Sequence, residues 1–156
     1  MKTYQDCLRT MEELFAHDCQ FALATSQGNV PSVRCVDMLY DDGAFFVVTY
    51  AASQKIREIG DNPNVSFCRD LYRFCGTAQN IGHPLRPENA AIREKLTEAF
   101  KAWYFRHNDE GNTDMCYVKI ILSNGFFHKD GTGWAVDFSA QTVRTFPFRP
   151  DILPEE

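Results

Sequence analysis

Several absences narrow what this chain can do. No apolar stretch approaches the roughly 20 residues that a membrane-spanning helix needs. The opening residues Met1-Lys2-Thr3-Tyr4-Gln5-Asp6 lack the apolar core of a signal peptide, so a cytoplasmic location is expected. Positive charge is in deficit. A formal net charge of −5 gives no electrostatic support to binding nucleic acid or an anionic membrane. There is no Cys-x-x-Cys, and the cysteines (Cys7, Cys19, Cys35, Cys68, Cys75, Cys116) match no zinc spacing with the histidines, so no metal is expected. Most of these cysteines sit in apolar surroundings and read as buried free thiols of a reducing compartment. His17, His83, His107 and His128 are dispersed and polar-flanked, and read as surface or loop residues. No glycine-rich dinucleotide fingerprint, repeat or low-complexity segment occurs.

What is present suits one soluble globular domain over residues 1–148, followed by a proline-containing tail at 149–156. Apolar residues make up 44% of the chain, enough for a well-buried core, and 13 phenylalanines suit a β-rich one. The organising stretch runs from Phe45 to Ile59. Phe45-Phe46-Val47-Val48-Thr49-Tyr50 reads as a buried strand, Ala51-Ala52 as a turn, and Ser53 as the N-cap of a helix whose apolar stripe is Ile56 and Ile59. Lys55 and Arg57 lie in the first turns, where the helix dipole disfavours cations. An anion beside free helix N–H groups, the Thr49 and Ser53 hydroxyls and Lys55 would reverse that penalty. Two readings stand for this segment: a phosphate cradle, or an ordinary capped surface helix.

The rest of the chain reads in order as follows. Thr3 caps a helix whose face is Tyr4, Cys7, Leu8, Met11, Leu14 and Phe15, ended by His17-Asp18 and suited to act as a lid. Strands follow at 20–26 and 32–40. Both faces of the second are largely apolar, so Arg34 and Asp37 stand out. A charge in such a strand needs an internal salt bridge or exposure at an edge. Asp41-Asp42-Gly43 turns the chain into the strand at 44–50. Asn62-Pro63 stops the helix. Strands are expected at 65–69 and 71–79, with Gly76 marking a bulge or close approach. Pro87 begins a long helix with a stripe of Ile92, Leu96, Ala99, Phe100 and Trp103. A polar loop at 107–114, a long strand at 115–128 and a short one at 134–138 complete the pattern.

The ordered set Leu23-Ala24-Thr25, Val33-Arg34-Cys35-Val36, Tyr40-Asp41-Asp42-Gly43, Ser53-Gln54-Lys55, Asn62-Pro63-Asn64-Val65-Ser66 and Gly76-Thr77-Ala78 resembles the pyridoxamine 5′-phosphate oxidase-like family of FMN-binding split barrels. The resemblance covers roughly residues 20–80. It implies a mainly β fold, a six- to seven-stranded antiparallel split barrel with about three helices. It also implies FMN as cofactor and a homodimer with FMN at the interface. Carried over by position, Arg34, Thr49, Ser53 and Lys55 match residues that bind the FMN phosphate or ribityl chain. Gln54 lies where many members have a basic residue. Backbone around Val36-Asp37 and Val48-Thr49-Tyr50 matches segments lining the isoalloxazine ring. Phe127 or Trp134 is placed to pack on a flavin across the interface, or in plain core.

Two departures argue against vitamin B6 oxidation. The region 125–137 has no Arg-x-His run, and Leu39 replaces the lysine found five residues after the phosphate arginine. The chain looks closer to the small branch that includes nitroimidazole-resistance-type reductases. The first functional reading is therefore an FMN-dependent oxidoreductase acting on a small-molecule acceptor. A non-catalytic flavin or haem binder and a scaffold for another phosphorylated ligand are the alternatives.

Overall fold

A computed structural model describes residues 1–150. The tail expected at 149–156 lies outside the described residues from 151 on. The elements are α1 (Tyr4–Phe15), β1 (Cys19–Gln27), β2 (Val30–Asp41), β3 (Ala44–Tyr50), α2 (Gln54–Asp61), β4 (Asn64–Arg69), β5 (Tyr72–Gly82), α3 (Ala90–Ala99), α4 (Tyr104–His107), β6 (Met115–Lys129), β7 (Thr132–Asp137) and β8 (Thr142–Pro147). All strand pairings are antiparallel. The sheet order is β3-β2-β1-β4-β5-β6-β7-β8, and a further β3–β6 pairing closes the first six strands into a barrel. The closing pairing bonds β3 along its whole length to β6.

Period-2 alternation sorts the side chains. On β1, Phe21, Leu23 and Thr25 point inward; on β3, Phe45, Val47 and Thr49 do the same. The interior is aromatic. Phe45 sits among Phe67, Tyr40, Phe74, Phe21 and Phe15 with ring centroids 5.0–5.7 Å apart, mostly in tilted or edge-to-face pairs, which the ring quadrupoles favour. A Thr3–Asp6 capping box starts α1. Its Cys7, Met11 and Phe15 complete the core at the end of the barrel where β1 begins. The lid expected from the sequence is thus a plug. At the opposite end α2 packs against β1 and β5.

A second cluster lies outside the barrel, where Leu39, Ala44 and Phe46 meet Leu96, Phe100, Tyr104 and Tyr117. The helix expected from Pro87 onward is interrupted. A 3₁₀ turn at Pro87–Asn89 precedes α3, and the chain breaks at Phe100–Trp103 before α4. The break lets Phe100 and Trp103 stack at 4.6 Å and directs Tyr104 inward, where its hydroxyl lies 2.6 Å from that of Tyr117 and donates to Glu110 Oε2 at 3.0 Å.

Gly76 fulfils both expectations: the β5–β6 register shifts beside it, and a Cβ there would lie 2.3 Å from the Ile121 carbonyl oxygen. β8 adds a strand to the expected set; Thr142, Val143 and Thr145 carry β-branched character, but Pro147 and Pro150 interrupt the pattern in sequence. The thiols divide into two groups. Cys7, Cys19 and Cys116 are buried as expected, whereas Cys35 and Cys68 are exposed and Cys75 half-exposed. The correction follows from alternation, because Cys35, Cys68 and Cys75 occupy outward positions of β2, β4 and β5. For the same reason β2 is not covered on both faces: Val33 is 68% exposed.

Candidate functional site

The β2–β3 ladder is short. It joins Leu39 to Phe46, Tyr40 to Phe45 and Asp41 to Ala44, and then ends. Earlier in β2 the strand is bonded only to β1, and later in β3 the strand is bonded only to β6. The barrel is therefore split between Val36-Asp37 on one edge and Val48-Thr49-Tyr50 on the other, the segments named from the sequence as ring-lining. Backbone N–H and C=O groups on these edges must find partners outside the sheet.

The start of α2 sits at the wide end of this split. Ser53 occupies the N-cap position, but its side chain makes no capping bond; Oγ lies 3.5 Å from Thr49 Oγ1 instead. This corrects the expected cap, and it leaves the first-turn N–H groups without a side-chain partner. Lys55 Nζ donates to Thr49 Oγ1 at 2.8 Å. Among the described residues no carboxylate pairs with Lys55. Burial, then the positive charge of Arg34, pull its pKa down from the ordinary lysine value. A half-buried cation that is weakened in this way gains most from an added anion.

Arg34 points inward and has internal partners. It donates to Thr25 Oγ1 at 2.6 Å, to the Leu23 carbonyl at 3.4 Å and to Glu58 Oε2 at 3.4 Å. Of the options left open for Arg34, the structure thus supplies an ion pair, and the partner is Glu58. Glu58 is buried and also accepts hydrogen bonds from Thr25, from Ser32 at 3.0 Å and from Gln54 at 3.0 Å. The Thr25 bond first, then those from Ser32, Gln54 and Arg34, hold its carboxyl below the usual range and keep it ionised. Gln54, itself exposed, is thereby tied to Glu58. Arg57 reaches back to the Ala52 carbonyl at 2.8 Å.

Glu58, Thr25 and Ser32 were missed by sequence reasoning. A signal existed for the first two: Glu58 shares a helix face with Lys55 and Ile59, and Thr25 continues the inward series Phe21, Leu23. The apolar stripe expected for α2 packs on the main core, with Ile59 buried and Ile56 half-buried, and Glu58 is buried beside it.

The remaining expected site residues scatter. Val36 packs on the main core and Val48 on the second cluster. The Tyr50 hydroxyl donates to the His107 carbonyl at 3.4 Å and to Asn108 Oδ1 at 3.3 Å, tying β3 to the end of α4. Trp134 is buried in the main core, stacked on Phe127 at 5.6 Å, and is not brought to the Lys55 corner.

Asp37 meets Asp18, just before β1, instead of the cations. Trp103 Nε1 donates to Asp18 Oδ2 at 2.8 Å. Asp18 Oδ1 is buried and has no hydrogen-bond partner among the described residues. Burial first, then the Asp18 carboxyl, push Asp37 up to about 6. A neutral Asp37 can donate to Asp18, so folding favours its protonated form. The sign follows from linkage: this contribution is fully present below about pH 4 and fades as pH rises through about 6. Asp37→Asn keeps a donor that cannot ionise. Its Tm relative to the parent is expected to be higher at about pH 7.5 than at about pH 4.5. A difference that does not vary with pH in thermal melts would remove the pairing.

A closed six-stranded antiparallel barrel whose β2–β3 ladder ends early defines the split-barrel fold. Residues 9–128 match the family model described as pyridoxamine 5′-phosphate oxidase, and the chain belongs to that family. No curated protein matches it. Among solved structures, a NimC/NimA family protein from Clostridium acetobutylicum aligns with a TM-score of 0.56 at 19% identity, over 90% of this chain and 92% of that one. A FAD-binding protein from Mesorhizobium loti aligns at 0.57 and 15%, over 76% and 90%. A heme binding protein from Mycobacterium smegmatis aligns at 0.65 and 16%, over 90% and 60%. At these identities the likeness shows the fold. No helix among the described residues is long and apolar enough to cross a membrane.

Proposed function

We propose that the protein binds FMN at the β2–β3 split and acts, in the cytoplasm, as an FMN-dependent oxidoreductase on a small-molecule acceptor. The observation that carries this reading is the coincidence of the split with the Lys55–Ser53–Thr49 corner at the uncapped start of α2. The donor set fits a terminal phosphate: a cation without a carboxylate partner, two hydroxyls and first-turn N–H groups. Lys55, Ser53 and Thr49 would hold the phosphate. Arg34 adds positive potential from inside and, through Glu58, fixes the start of α2. The free edges at Val36-Asp37 and Val48-Tyr50 would orient the ring. Bound FMN supplies hydride and single-electron transfer, and the chain supplies binding and orientation. Without the Arg-x-His run and with Leu39 in place of lysine, pyridoxamine 5′-phosphate oxidation is not proposed.

The same reading takes residues 1–148 as one folded unit that forms a homodimer. Support comes from the outward face of β2, β1 and β4, where exposed Val33, Cys35 and Cys68 lie beside Ala22 and Ala24 with little charge. A flavin or haem store is the second reading, favoured by the fold shared with the heme binding protein.

Titration of the purified protein with FMN, riboflavin and haem, monitored by absorbance, separates these readings, and addition of NAD(P)H then tests for reduction. Tight FMN binding, weak riboflavin binding and a dimer by sedimentation are expected. Failure to bind FMN sinks the proposal, and haem binding without FMN binding supports the store.

A further inference from the structure

A groove of about 870 Å³ lies between the start of α3 and the outer face of β3, β6 and β5. Its size falls in the range of small-molecule sites. Phe46 and Ile92 form apolar walls. Phe46 is where the β2–β3 ladder ends, so the groove adjoins the split on the outside of the barrel. Three cations and two carboxylates line it, a net charge of +1 on a chain whose formal charge is −5. Lys95 is committed to Asp41 at 2.7 Å. Lys119 and Arg86 have no carboxylate partner among the described residues.

These two cations border the same groove. Lys119 stands in one cross-strand row with Phe46 of β3 and Gln79 of β5, whose side-chain amide adds a donor to the same wall. Arg86 lies over Gly82. At that residue φ is +92°, and a Cβ would come within 2.4 Å of the guanidinium, so glycine both permits the turn and makes room for the arginine. Two uncommitted cations and an amide above an apolar floor are suited to an anionic group joined to an apolar body.

We propose that this groove binds a small ligand bearing a carboxylate or phosphate on an aromatic or similarly apolar body. The proposal goes beyond the flavin reading and does not depend on it, because none of the phosphate-corner residues lines the groove.

The test uses benzoate, phenyl phosphate and the uncharged control benzamide, titrated by calorimetry and protein NMR into the parent and into Lys119→Gln, Arg86→Gln and Lys55→Ala. Benzoate or phenyl phosphate is expected to bind the parent at least about tenfold more tightly than benzamide, with shifts at Phe46 and Ile92. Whichever anion binds more tightly identifies the favoured group. Lys119→Gln and Arg86→Gln should each weaken anion binding about five- to tenfold and leave benzamide unchanged. Both should leave FMN affinity intact, whereas Lys55→Ala should leave the anion titration intact. Equal binding of anions and benzamide, absence of anion binding at millimolar concentration, or loss of anion binding in Lys55→Ala alone would each overturn the proposal without touching the FMN reading. Because the parent comparison needs no variant, a misfolded substitution cannot obscure the outcome.

Discussion

Replacing Lys55 with alanine is expected to weaken FMN binding about ten- to a hundredfold while leaving riboflavin binding nearly unchanged. The magnitude is that of one hydrogen bond to a charged group, about 1.5–3 kcal/mol. The specificity for the phosphate follows from Lys55 having a neutral hydroxyl as its only side-chain partner among the described residues. Removing it breaks no internal ion pair, so the Tm of the unliganded protein should barely move. Arg34→Ala should behave in the opposite way. It strips a partner from buried Glu58, and uncompensated buried charge is costly, so the protein loses stability whether or not ligand is present. FMN and riboflavin titrations together with thermal melts of both variants measure the contrast. Equal losses for FMN and riboflavin in Lys55→Ala would show that this residue does not read the phosphate, and the corner would then be an ordinary helix start.

The largest stability effect is expected at Phe45. Its ring is fully buried at the crossing of aromatics from α1, β1, β2, β4 and β5. Truncation to alanine leaves a cavity whose walls belong to five elements that cannot all move inward, so a cost of about 3–5 kcal/mol is expected. For a chain of this length each kcal/mol lowers Tm by about 2–4 °C, which places the drop at roughly 10 °C. Ile121→Ala is the matched control. Ile121 is 47% exposed on the outer face of β6, and its replacement should stay within about 0.5 kcal/mol of the parent. Comparable losses at the two positions in denaturant melts would mean that the barrel interior is less tightly packed than the ring geometry implies.

The elements of the barrel were legible because their signals are local. A continuous apolar run marked β3, the Asp41-Asp42-Gly43 turn joined β2 to β3, and Thr3 announced α1. The corner at Thr49, Ser53 and Lys55 was legible for the same reason, since its members lie within one strand–turn–helix unit. The break in the helical segment after Phe100 was not, because Ile92, Leu96, Ala99, Phe100 and Trp103 keep helical spacing across it. Stacking of Phe100 on Trp103 and the buried Tyr104–Tyr117 bond override that local preference.

By itself the sequence determined the class of fold, the strand–turn–helix unit that carries Thr49, Ser53 and Lys55, and the lack of an Arg-x-His run at 125–137. Tertiary structure decided which charges meet. Arg34 and Glu58 are separated by 24 residues, and Thr25 and Glu58 by 33; their contact depends on strand register and on the angle at which α2 crosses the barrel end. Asp37 was turned to Asp18 by the same register, which sets Gln20 opposite Asp37 and carries Asp18 to the adjoining position. Trp134 went to the core because β7 pairs with the far half of β6, beyond the stretch that β3 occupies. Local periodicity specifies which face a side chain takes, but only the assembled sheet specifies what stands opposite that face.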